Sequence, residues 1–152
     1  MSHKTLVVKF GGHAMSDEDG HFAASIKDVI AQGLQVCVVH GGGPQINKAL
    51  DAAGITSNFV GGFRVTTPQI FDVVEKVLAC EVGPAIAASL QQNGVTAVAL
   101  SGRESILYAE RQLQLIDGSP VDLGLVGLVK GVRPEKVLHA LNDGIVPVIS
   151  PI

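Results

Sequence analysis

Two short segments hold the residues best suited to chemistry: Lys9-Phe10-Gly11-Gly12 and His40-Gly41-Gly42-Gly43-Pro44. Glycines that directly follow a strand let backbone N–H groups approach an anion, and a helix opening at Pro44 aims the positive end of its dipole at the same place. Lys9, near the end of the first strand, adds a full positive charge. Tight turns alone explain one such loop, but two loops and a lysine on one sheet edge favour an anion site. The common nucleotide signatures do not fit. No Gly-Lys-Ser/Thr follows Gly43 at P-loop spacing, and Ile46 stands where the last glycine of a dinucleotide fingerprint belongs. Arg64, beside Gly61-Gly62, has a planar fork that accepts a carboxylate bidentately, although a plain surface arginine on a hairpin fits the same residue. His40 reads as a structural hydrogen-bonding residue rather than a base. His3, His21 and His139 lack metal-ligand spacing, so no metal site is expected.

These residues need elements to hold them. Thr5 to Phe10 is a short β-branched and aromatic run, and Gln35 to His40 is nearly all apolar, as a parallel strand covered on both faces should be. Between them, Ser16 and Asp19 resemble a capping box ahead of Phe22, Ile26, Val29 and Ile30 at helical spacing, with Gly33 as the stop. Pro44 to Gly54 reads as the next helix. Phe59 to Val65 predicts a hairpin, and Thr67-Pro68 caps a long helix that Gly83-Pro84 should kink or break before it resumes to Asn93. Val95 to Leu100 is a strand, Ile106 to Val132 an antiparallel side piece turning at Asp117-Gly118-Ser119-Pro120, Pro134 to Asn142 a helix and Ile145 to Ile149 a last strand. Alternating strands and helices argue for a three-layer αβα sandwich with a mainly parallel sheet, whose ligands lie beyond the carboxyl ends of the strands.

Composition narrows the function. The 152 residues suit one domain, residues 1–152, and are 47% hydrophobic and only 16% charged. With 11 Lys plus Arg against 14 Asp plus Glu, the formal charge is -3, and no basic stripe offers itself to nucleic acid. Cys37 and Cys80 each sit in an apolar run and read as buried thiols. No stretch reaches 18 apolar residues, and the N-terminus lacks a signal-peptide pattern, so a soluble cytoplasmic protein without membrane contact is expected. A mean hydropathy of +0.38 is high for a small monomer and implies that something covers part of the surface.

Several stretches together resemble the amino-acid kinase family, in particular its members that phosphorylate N-acetyl-L-glutamate. They are Lys9 to Met15, His40 to Asn47, Gly62-Phe63-Arg64-Val65-Thr66, Leu100-Ser101-Gly102, Leu123 to Gly127 and Gly144 to Ser150, in the family's order. The resemblance implies transfer of the γ-phosphate of ATP, with Mg2+, to the side-chain carboxylate of N-acetyl-L-glutamate, an early step of arginine biosynthesis. It assigns Lys9 a catalytic role, stabilising the phosphoryl group in flight. Gly11, Gly12 and Gly41 would bind phosphate, and Gly42, Gly43 and Arg64 would bind the acyl substrate. His13 departs from the family pattern, where Asn is expected, and Glu81, Gly83 and Pro84 also depart from it. Ser101 and Arg103 fall in a loop that the family places near a substrate lid, and a plain turn suits them equally.

The resemblance also implies a homodimer formed through the long Pro68 to Asn93 helical region. Its nucleotide-binding half, with a second lysine, an aspartate and the adenine pocket, has no match here. These residues are therefore expected to form the acyl-substrate lobe and to be inactive or impaired as a kinase by themselves. A non-catalytic ligand-binding or interaction module, or a related kinase such as an aspartokinase, is the alternative.

Overall fold

The computed structural model describes residues 4–11, 19–104 and 106–152. Strand β1 (Thr5–Phe10) leads to helix α1 (His21–Ala31), β2 (Gln35–His40) and α2 (Gly43–Ala52). A hairpin of β3 (Phe59–Val60) and β4 (Phe63–Arg64) precedes α3 (Pro68–Glu75), a π-helical segment (Lys76–Val82) and α4 (Gly83–Gln92). Then come β5 (Ala97–Ser101), the ribbon β6 (Leu107–Arg111) and β7 (Gly127–Val132), α5 (Glu135–Asn142) and β8 (Val146–Ser150).

The sheet order is β1-β2-β8-β5, and each neighbouring pair is parallel. Side chains alternate along these strands, so Phe10, Val36, Val38, Val146 and Val148 share one face. They pack there with Ala23 and Ile26 of α1, Ile46 and Leu50 of α2, and Val77, Leu78, Ile86 and Leu90 of the long helix. On the opposite face α5 lies against β2 and β8 and buries Ala140 and Leu141. This is the expected mainly parallel αβα arrangement. Edge strand β1 is less covered: Leu6 is 40% and Val7 63% exposed.

Local signals place most boundaries within two residues. Pro44 opens α2 and Gly54, at φ +65°, ends it, since only glycine adopts that conformation without strain. Thr67 caps α3 by accepting a hydrogen bond from the Ile70 amide at 3.3 Å. Two expectations need correction. Gly83-Pro84 does not break the helix, because the chain continues helically from Pro68 to Gln92 through the π-helical turn. In that turn the Gly83 N–H donates to the Leu78 carbonyl, five residues back. The wider turn makes room for the Pro84 ring, which would otherwise press on the carbonyl four residues earlier. Cys80 is exposed, whereas Cys37 is buried as expected. Cys80 lies on the outward stripe that it shares with exposed Lys76 and Pro84, so an apolar neighbourhood in sequence did not mean burial. The Ser16–Asp19 capping box involves a residue outside the described set, and the N-cap position of α1 is Gly20, with no side-chain cap bond.

The hairpin and the ribbon are sealed together. Thr66 N–H donates to the Leu123 carbonyl at 2.9 Å, and Leu125 N–H donates to the Thr66 carbonyl at 2.7 Å. Gly124, at φ +69°, sits so close that a Cβ there would fall 2.2 Å from the Thr66 carbonyl oxygen. Leu115 likewise covers Gly61, where a Cβ would meet its Cδ2 at 2.6 Å.

Candidate functional site

The site grows from the parallel pairing of β1 and β2. Lys9 stands beside Val39 and Phe10 beside His40, so both glycine loops leave the sheet at its carboxyl edge. The Gly41 N–H donates to the Phe10 carbonyl at 3.3 Å, which ties the loops at their origin. Beyond that point the Gly11, Gly42 and Gly43 amides donate to no acceptor among the described residues. A Cβ added at Gly11, Gly41 or Gly43 would meet nothing within 4 Å, so the backbone there faces open space. Free amides at a helix N-terminus facing open space can bind an anion. Lys9 is exposed and makes no ion pair among the described residues; its side chain alternates away from that of Phe10. Gly12 and His13 lie outside the described residues.

Gly42 differs from its neighbours. It is buried, and a Cβ there would strike Leu78 Cδ2 at 2.6 Å. The loop therefore rests on the π-helical segment. Beneath it His40 and Ser150, each 1% exposed, form a polar pair inside the core. His40 Nδ1 lies 2.9 Å from the Gly41 carbonyl oxygen and Nε2 lies 2.8 Å from Ser150 Oγ, which is also 3.0 Å from the Leu78 carbonyl. Burial holds the imidazole pKa below its ordinary value, against a smaller upward pull from the Gly41 carbonyl. A neutral ring carries one N–H, and a carbonyl can only accept, so that proton sits on Nδ1. Nε2 then accepts from the Ser150 hydroxyl. The Leu78 carbonyl stays satisfied by the Gly83 N–H.

Arg64 reaches the same neighbourhood from β4. Its Nη1 donates to Ser57 Oγ at 2.5 Å and its Nη2 to Asn47 Oδ1 at 2.6 Å, and the guanidinium lies 4.6 Å from the centre of the Phe59 ring. Asn47 is on α2, one turn beyond Gly43, and so links Arg64 to the helix that begins at the glycine loop. No carboxylate pairs with Arg64 among the described residues, and partial burial pulls its pKa downward from a very high ordinary value. A held cation with neutral neighbours and no counterion is suited to a carboxylate ligand. Asn47, Ser57 and Phe59 carry no functional signal of their own in the sequence. Only an arginine that needed orienting would have drawn attention to them.

Beside the loop, a cleft of about 310 Å³ is lined by Phe10, Phe22, Gln45, Glu81 and Val82 among others. Gln45 Oε1 is buried there and has no hydrogen-bond partner among the described residues. Ser101 and Arg103 are not part of this grouping. Ser101 ends β5 and Arg103 follows it, at the opposite end of the sheet order from β1, and Arg103 pairs with Glu75 and lies 5.6 Å from the Phe71 ring centre.

The family model for the amino acid kinase family matches residues 4–152. The chain belongs to that family. The acetylglutamate kinase of Rhodococcus jostii is 45% identical over 152 residues, covering 98% of this chain and 49% of that protein. That of Kineococcus radiotolerans is 49% identical over 154 residues, covering 99% of this chain and 51% of that protein. The chain thus spans about half the length of the relatives it matches. Among solved structures, smu.665 of Streptococcus mutans superposes with a TM-score of 0.84 at 28% identity, covering 96% of this chain and 58% of that one. The N-acetylglutamate synthase of Neisseria gonorrhoeae, with a TM-score of 0.72 at 21% identity, shares the fold.

Proposed function

We propose that this chain supplies the acyl-substrate half of an acetylglutamate kinase, which transfers the γ-phosphate of ATP to the side-chain carboxylate of N-acetyl-L-glutamate. The observation that carries this reading is Arg64, held by Asn47 and Ser57 without an anionic partner among the described residues and tied to the helix that starts at the glycine loop. The relatives named acetylglutamate kinase support the choice of substrate. In this reading Arg64 takes the α-carboxylate. The free amides of Gly42 and Gly43 receive the acyl end, while Gly11 and Gly12 receive the phosphate; Gly41, expected to join them, has its N–H committed to the Phe10 carbonyl and ties the two loops instead.

A carboxylate oxygen then attacks the γ-phosphorus as the bond to the bridging oxygen breaks, leaving ADP and an acyl phosphate. Such a transfer needs little covalent help from the protein, so positioning and charge neutralisation dominate. Lys9 contributes the positive charge on this side. Mg2+ enters with the triphosphate, and among the described residues no cluster of His, Cys, Asp or Glu gathers to hold a metal. The chain works in the cytoplasm on small molecules, without nucleic acid or membrane. Among the described residues no helix is long and apolar enough to cross a membrane. Two copies associate through the long helix, whose outward stripe includes Cys80, Pro84 and Ala88.

Calorimetric titration of the chain with N-acetyl-L-glutamate and with L-aspartate tests the assignment. Heat of binding with the first and none with the second is expected. Preference for aspartate would reassign the site to a different kinase of the family.

A further inference from the structure

We propose that His40 is a positioning residue for the glycine loop: held from behind by Ser150, its Nδ1–H fixes the Gly41 carbonyl and so turns the Gly42 amide outward to receive the ligand. The argument needs only peptide geometry. The Gly41 carbonyl and the Gly42 N–H belong to one trans peptide plane and point in opposite directions. A hydrogen bond that draws the carbonyl toward the imidazole at 2.9 Å therefore directs the N–H away from it, and no described acceptor claims that N–H. Glycine leaves its own backbone free to rotate, so a run of three glycines does not fix this plane unaided.

The ring is itself fixed. Ser150 Oγ, at the end of β8, lies 2.8 Å from Nε2, and the ring and the hydroxyl are closed over by Gly83. A Cβ at Gly83 would come 3.0 Å from His40 Nε2 and 3.1 Å from Ser150 Oγ, so glycine lets the helix approach this closely without displacing either group. Leu78 closes the circuit. Its carbonyl lies beside Ser150 Oγ, and its side chain fills the space where a Gly42 Cβ would be. One stretch of helix thus supports the loop twice, by side-chain contact at Gly42 and through Ser150 and His40 at Gly41. The π-helical turn that delivers the Leu78 carbonyl and Gly83 to the same spot has a role in this arrangement.

The inference rests on the reading of the loop as the acyl-substrate cradle, and the test separates the two. Asn at position 40 places an amide N–H near where Nδ1 stands but cannot reach Ser150. Gln reaches toward Ser150 but presents no donor at the Gly41 carbonyl. With N-acetyl-L-glutamate as the probe, His40→Gln is expected to weaken binding about tenfold, the scale of one lost hydrogen bond with its orienting effect. His40→Asn should recover most of that loss. In the free proteins, the Gly42 amide resonance in nitrogen–proton correlation spectra should move in His40→Gln and return toward its original position in His40→Asn. Ser150→Ala, a milder change, should move it by a smaller amount.

Equal loss of affinity in the Asn and Gln variants, or a Gly42 amide unmoved in His40→Gln and Ser150→Ala, would overturn the positioning role. If the unmodified chain does not bind N-acetyl-L-glutamate, the substrate reading fails, and the free-protein resonances still decide the role of His40.

Discussion

Replacing Arg64 by alanine gives a direct measure of the site. The guanidinium has five N–H donors, of which one is engaged by Ser57 and one by Asn47, leaving three for a ligand. A carboxylate that takes two of them in parallel forms the stronger, charge-assisted kind of contact. Losing that contact should weaken N-acetyl-L-glutamate binding by about 1.5 to 3 kcal/mol, or roughly 12- to 160-fold in Kd. The contact with Phe59 stabilises the hairpin in the free chain and belongs to folding rather than to affinity. Arg64→Lys should fall between the two, because a point charge cannot serve Asn47, Ser57 and a planar carboxylate together. The assay is isothermal calorimetry at fixed salt, with circular dichroism to show that each variant is folded. An alanine variant that is folded and binds within twofold of the unmodified chain would remove Arg64 from the site.

Gly42→Ala should destabilise the fold by about 1 to 3 kcal/mol by pressing on buried Leu78, as read by urea unfolding. Adding Leu78→Ala should offset part of that, with a coupling energy above about 0.5 kcal/mol; strictly additive losses would show that the two do not touch. His40 has a pKa below the ordinary imidazole value of about 6.5, so the unfolded chain binds its proton first as pH falls. The stability that the neutral ring contributes is complete above about pH 6.5 and is lost on acidification toward the lower folded pKa, and His40→Asn should flatten that part of the profile. Light scattering should find two copies per particle at micromolar concentration, and Ala88→Glu on the outward helical stripe should return it to one.

Much of this architecture was legible because glycine and proline mark where apolar runs stop. Thr5–Phe10 and Gln35–His40 are bounded by the same glycine loops that make the site, so the strand ends and the anion-facing backbone came from one signal. The antiparallel ribbon and the Thr67 cap followed from turn and capping chemistry. The π-helical turn was not legible. It adds a residue to the helical circuit without any change of composition, and Gly83-Pro84 looks like a break until the wider turn is seen. Burial of Cys80 was misjudged because small apolar residues surround the long helix on several sides, so hydrophobicity alone did not identify its inner face. The supports of Arg64 and His40 come from residues 7, 17 and 110 positions away, and no local pattern announces pairings of that kind.

The seal between Thr66 and the segment around Gly124 has a mechanical consequence. Thr66 lies two residues from Arg64 and gives both its N–H and its carbonyl to the strand-like stretch Leu123–Leu125. The ribbon and the arginine hairpin are therefore one lever. A displacement of the Leu123–Leu125 segment is passed through two backbone hydrogen bonds to the hairpin that carries Arg64.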